Sequence, residues 1–218
     1  MLNDVLSTWK LQNGPEAQDL REKTILVLGN GNGGGRMTAE LLARCGARVF
    51  VAARSSAELH QALQAVHQNG GEGDGIVLDL RGGQEARQLF AEAEQRYGQI
   101  HAVINYLPLD VDPMPVETEL AVEAEDCQNL VAQAALLHMP AGTRGQIIHI
   151  GHGKNRPASR ALAAAMRHQA KDLGIRVTLV EPGETQDANV KDIVQCVFRS
   201  LVQPFGMDVI FLKGQADR

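Results

Sequence analysis

The stretch "ILVLGNGNGGGR" (25–36) restricts the fold more than any other part of this chain. Four apolar residues end at Gly29, and five of the seven residues from 29 to 35 are glycine. A helical pattern follows, with Met37, Leu41 and Cys45 on one face and Gly46 as a natural stop. Strand, glycine turn and helix in that order let backbone come close to a pyrophosphate. The helix N-terminus then supplies unpaired N–H groups and a partial positive charge. Two patterns overlap in the turn. Gly29, Gly31 and Gly34 fit GxGxxG, while Gly29, Gly33 and Gly35 fit GxxxGxG, with Asn30 and Asn32 between them. A strand–helix corner that holds no ligand has the same composition.

The rest of the chain supplies the context such a turn needs. Short apolar runs at 24–28, 48–52, 76–80, 102–105, 146–150, 176–180 and 208–212 read as buried strands. Helical patterns lie between them at 36–45, 55–68, 84–97, 117–138, 159–173 and 188–202, and Ser55 and Glu58 have capping-box spacing. Such alternation predicts right-handed crossovers and a parallel sheet covered on both faces. Residues 1–22 read as an N-terminal extension and 23–218 as one domain, with "NGGEGDG" (69–75) as a flexible loop before the third strand. At 218 residues and 44% hydrophobic, the chain suits one domain.

Composition narrows the function classes. No apolar run reaches the roughly 20 residues of a membrane span. The N-terminus lacks the basic and apolar regions of a secretory signal. Cys45, Cys127 and Cys196 suggest neither a disulfide framework nor a zinc site, so a reducing cytoplasm is the expected location and no metal is expected. A net charge of −5 without a basic stripe argues against nucleic acid as a partner.

The end of the second strand bears on cofactor choice. An NAD site wants an acid there for the ribose 2′-hydroxyl. Ala52 and Ala53 stand in that region and Arg54 follows, which suits a 2′-phosphate and predicts NADP(H). Other candidates cluster further on. His152 is a possible acid or base at a strand end, and His149 lies nearby. Tyr106 follows the fourth strand and either faces the same cleft or packs. Lys154, Arg156 and Arg160 form a basic group that could receive an anionic small molecule.

These stretches together resemble the short-chain dehydrogenase/reductase family. "LGNGNGGG" looks like its TGxxxGxG turn, and "AELLARCGARVFVAARS" is similar to its first helix and second strand. "LDL" (78–80) looks like its strand-end Asp, with Asp79 and Leu80 beside the adenine. Asn105 matches one asparagine of the NNAG motif, and "LGIRVTLVEPG" (173–183) is close to the sixth strand and its Pro-Gly turn. The resemblance implies a single Rossmann-type doubly wound domain with seven parallel strands ordered 3-2-1-4-5-6-7. It implies a cofactor held by Gly29, Asn30, Gly31, Asn32, Gly33, Gly34, Gly35, Arg54, Asp79, Leu80, Asn105, Pro182 and Gly183. It also implies a homodimer or homotetramer formed through the helices near 120–137 and 161–173.

The substrate side departs from the family. Its acid is a tyrosine whose pKa is lowered by a lysine four residues later, and this sequence contains no YxxxK. The matching segment "RPASR" (156–160) puts Arg156 at the tyrosine and Arg160 at the lysine. Arginine stays protonated, so Arg156 can stabilise an oxyanion but not protonate it. The family's serine position falls on Gly151 or His152. The leading expectation is an atypical NADP(H)-binding oxidoreductase acting on a small carbonyl or alcohol, with His152, Arg156, Arg160 and Tyr106 as catalytic candidates. The alternatives are a non-catalytic cofactor-binding regulator or silent subunit, and a non-redox enzyme using the same cleft.

Overall fold

The computed structural model describes residues 20–29, 33–80, 83–106, 119–142, 144–151, 156–181, 190–202 and 209–211. Strands and helices alternate: β1 (Thr24–Leu28), α1 (Gly34–Arg44), β2 (Arg48–Ala53), α2 (Ser56–Gln68), β3 (Glu72–Val77) and α3 (Gly83–Tyr97). Then come β4 (Ile100–Asn105), α4 (Glu119–His138), β5 (Gln146–Ile150), α5 (Arg156–Ala170), β6 (Arg176–Glu181), α6 (Val190–Val202) and β7 (Val209–Phe211). The seven strands form one sheet in the order β3-β2-β1-β4-β5-β6-β7, and every pairing is parallel. This is the doubly wound domain expected from the alternation.

Side-chain alternation divides the core in two. Ile25 and Val27 of β1 face one layer with Leu41 and Leu42 of α1, Val66 of α2 and Phe198 of α6. Leu26 and Leu28 face the other, with Phe90 of α3, Val131 and Ala135 of α4 and Met166 of α5. β1 is buried along its whole length, as a central parallel strand must be. Leu20 is also buried in the first layer, and its N–H donates to the Cys45 carbonyl at 3.0 Å. The remainder of the expected extension, residues 1–19, lies outside the described residues.

The third strand corrects the sequence reading. It runs Glu72–Val77 through the stretch expected to be a loop, while 78–80 lie beyond its end. Its glycines hid it, because glycine is disfavoured in strands. Here they are required by close approach. A Cβ on Gly75 would collide with the Val51 carbonyl of β2, and one on Gly73 would come within 2.8 Å of Val66 Cγ1 on α2.

One row of register partners crosses the sheet at its C-terminal end: Ala52, Leu28, Asn105, His149 and Leu179. The helix that follows β1 packs in one layer and the helix that follows β4 in the other. Open α/β sheets hold their ligands at such a reversal of strand order.

Candidate functional site

The glycine turn begins where β1 stops. Gly29 has φ of 77°, and its N–H donates to the Ala52 carbonyl at 3.1 Å, which ties the turn to β2. Gly33, with φ of 87°, is the N-cap of α1. Only glycine takes that conformation without strain. Among the described residues, a Cβ there would meet nothing within 4 Å. The glycine N-cap has no side chain to cap α1, and no acid lies in its first turn. Its N-terminal N–H groups therefore keep the partial positive charge that an anion needs. Gly34 and Gly35 are buried in the first turn, whereas Asn30, Gly31 and Asn32 lie outside the described residues.

Tyr106, one of the catalytic candidates, lies beneath this turn, buried against α1. Its ring is 1% exposed, and Cε1 would be 3.0 Å from a Cβ on Gly34. Its hydroxyl and Thr38 Oγ1 of α1 are 2.6 Å apart, and its N–H donates to the Leu28 carbonyl at 2.9 Å. Burial pushes the phenol well above the ordinary tyrosine pKa. Such a group is a poor proton donor. It is a prop between β4 and α1.

The β2 end carries the next groups. Arg54 is exposed, directly after buried Ala52 and Ala53. Ser55 caps α2 by accepting from the Glu58 N–H at 3.3 Å, while the Glu58 carboxylate accepts from the Arg54 N–H at 3.3 Å. The capping-box spacing is thus used, but the returning acid takes the residue before the cap. Asp79 is exposed and Leu80 buried, and the Leu78 N–H donates to the Ala53 carbonyl at 2.9 Å, holding this segment beside β2. Asn105 is fully buried at the end of β4.

On the other side of the reversal stand β5, β6 and α5. The Gly151 N–H donates to the Val180 carbonyl at 2.8 Å. Glu181 closes β6 and is 1% exposed, a carboxylate that follows the buried apolar pair Leu179 and Val180. Arg160 of α5 reaches it with two bonds of 2.6 Å, Nε to Oε1 and Nη2 to Oε2. The hydrogen bond to Glu181 raises the Arg160 pKa further. A Cβ on Gly151 would lie 3.5 Å from Glu181 Cγ and 3.6 Å from Ser159 Cβ, so these three residues pack together. Sequence reasoning missed Glu181. The available signal was an acid ending the strand immediately before Pro182.

His149 is buried between β4 and β6, with Nε2 3.0 Å from Met166 Sδ. Burial lowers its pKa to about 4, so it is neutral at physiological pH. Arg156 opens α5, one turn before Arg160. His152, Pro182 and Gly183 lie outside the described residues. No metal-binding cluster of His, Cys, Asp or Glu occurs among the described residues. No helix among them is long and apolar enough to cross a membrane.

A parallel, doubly wound sheet with a glycine turn at its reversal of strand order defines the Rossmann class of nucleotide-binding domains. Within that class the short chain dehydrogenase family matches residues 23–195, and this chain belongs to it. A trihydroxynaphthalene reductase from Colletotrichum orbiculare is 27% identical over 202 residues, covering 83% of this chain and 71% of that protein. Matches to relatives from Streptomyces virginiae and Listeria monocytogenes cover only 32% and 44% of those proteins. The solved hydroxysteroid dehydrogenase of Escherichia coli superposes with a TM-score of 0.76 at 20% identity, over 92% of this chain and 99% of that one. A metagenomic short-chain oxidoreductase in complex with NADP superposes at 0.74 with 19% identity, over 90% of this chain and 99% of that one.

Proposed function

We propose that this chain binds NADP(H) along the C-terminal edge of β1, β2 and β4, as an oxidoreductase-family protein with a rebuilt substrate side. The carrying observation is an α1 that starts at a glycine N-cap with no acid in its first turn, together with an exposed Arg54 directly after β2, the strand paired with β1. The residues fit the cofactor. Gly29 to Gly35 provide backbone approach for the pyrophosphate. Arg54 would supply a cation for the 2′-phosphate, Asp79 and Leu80 would flank the adenine, and Asn105 would face the nicotinamide; the family resemblance assigns Pro182 and Gly183, which lie outside the described residues, to that same end. Bound NADPH supplies a hydride to a carbonyl carbon, and the developing alkoxide then needs a proton. His152, with a reference pKa of about 6.5, is the group we assign to deliver it. Arg156 stabilises the oxyanion.

One observation favours a second reading, in which the protein binds cofactor without turning it over. Arg160, at the position of the family's lysine, is tied to Glu181 through both carboxylate oxygens. Its charge is neutralised by the fold instead of acting on a neighbouring acid.

Calorimetry with NADPH and NADH, followed by NADPH oxidation with a panel of aldehydes and ketones, tests both. Loss of the charge-assisted pair to the 2′-phosphate costs on the order of 1.5–3 kcal/mol, so NADPH is expected to bind more tightly than NADH. Absence of binding by either nucleotide overturns the proposal. Binding without oxidation of NADPH selects the second reading.

A further inference from the structure

Two helix N-termini flank the nucleotide edge, and they are built oppositely. α1 has a glycine N-cap, no side-chain cap and no acid in its first turn. α2 has Ser55 as its cap and Glu58 in its first turn, with the Glu58 carboxylate folded back onto the Arg54 N–H at 3.3 Å. The first N-terminus offers positive potential to an anion. The second has its dipole already answered by a carboxylate, and that carboxylate bonds the backbone N–H of the residue expected to meet a 2′-phosphate.

We propose that Glu58 is a specificity-determining residue, which holds down the advantage that Arg54 gives to a 2′-phosphorylated nucleotide and so lets the site accept NADH as well. This rests on the nucleotide-binding reading above. The physics is one of sign. A phosphate monoester carries nearly two negative charges at neutral pH, and a carboxylate held at the Arg54 backbone opposes it. The ribose 2′-hydroxyl of NADH is neutral and feels no such opposition. A unit charge facing a doubly charged phosphate across a few ångströms of solvated surface shifts binding by roughly tenfold.

The test is Glu58→Gln. The amide oxygen still accepts from the Arg54 N–H, so the backbone of the α2 start is kept while the charge is removed. Binding of NADPH and NADH is measured by calorimetry for the unmodified and variant proteins, with thermal melts to verify folding. NADPH affinity is expected to rise about tenfold and NADH affinity to change less than about twofold. At 1 M salt, where the Debye length falls to about 3 Å, the gain should shrink. An NADPH-to-NADH affinity ratio that stays within twofold of the unmodified protein overturns the role of Glu58 while leaving nucleotide binding intact. If the unmodified protein binds neither nucleotide, the underlying reading fails, and this one with it.

Discussion

Glu181 and Arg160 meet through two hydrogen bonds of 2.6 Å across the end of the sheet, one residue buried and its partner about half exposed. The pair joins β6 to α5. It makes the cation a structural element and leaves a carboxylate that depends on it. Removing Arg160 strands that carboxylate in a buried place, whereas removing both charges does not. Arg160→Ala is therefore expected to lower the thermal midpoint clearly, and Arg160→Ala combined with Glu181→Leu should recover about half of the loss or more. Equal destabilisation by the single and double variants would contradict this.

Tyr106 is expected to matter for stability and not for proton transfer. Tyr106→Phe removes the hydroxyl shared with Thr38 and should cost roughly 1–2 kcal/mol in urea denaturation. Tyr106→Ala opens a cavity under the glycine turn and should cost about 3–5 kcal/mol. Any turnover of the unmodified protein should survive in the phenylalanine variant. Its loss there, with folding intact, would return Tyr106 to the catalytic set.

His152 carries the opposite expectation. If it supplies the proton, His152→Ala slows turnover by roughly 10²–10⁴-fold and leaves NADPH affinity almost unchanged. Activity indifferent to the substitution removes it from the mechanism and strengthens the reading as a silent subunit.

Stability should depend on pH through His149. Its folded pKa, lowered to about 4 by burial, lies below the unfolded value of about 6.5. Between these values the unfolded chain binds the extra proton, so stability is complete above about pH 6.5 and falls as pH drops toward 4. The loss reaches at most about 3 kcal/mol. His101 adds to the same trend. Its Nδ1 accepts from the Thr24 N–H at 3.1 Å, which requires that nitrogen to be unprotonated, and burial lowers its pKa. Denaturation curves at pH 7.5 and 5 should separate, and His149→Leu should reduce the separation. A pH-independent midpoint over that range would overturn the assignment.

Assembly through α4 and α5 predicts a two-fold dimer by light scattering at micromolar concentration. Leu137 on α4 is 77% exposed and so is available to a partner copy. Leu137→Glu should shift the mass toward monomer. A monomer for the unmodified protein contradicts the prediction.

Strand count was legible in the sequence because buried parallel strands are mostly apolar, whereas the sheet order was implied by the family resemblance and not by the pattern itself. Residues 24–28 and 146–150 were bounded correctly from the apolar signal alone. The third strand was not, because its glycines answer to Val51 and Val66, which lie on other elements. Ser55 as a cap was local and readable, but the direction taken by the Glu58 carboxylate was not. Tyr106 could be placed after β4 by counting. Whether it faced the cleft or the underside of α1 depended on how closely α1 crosses the sheet. Arg160 and Glu181 are 21 residues apart on a helix and a strand, and no periodicity links them. Sequence determines which segments must be buried, because burial follows from composition and period. The pairing of charges and the pointing of side chains at the ligand edge were decided only by the tertiary structure, because they depend on distances between elements that the chain order does not contain.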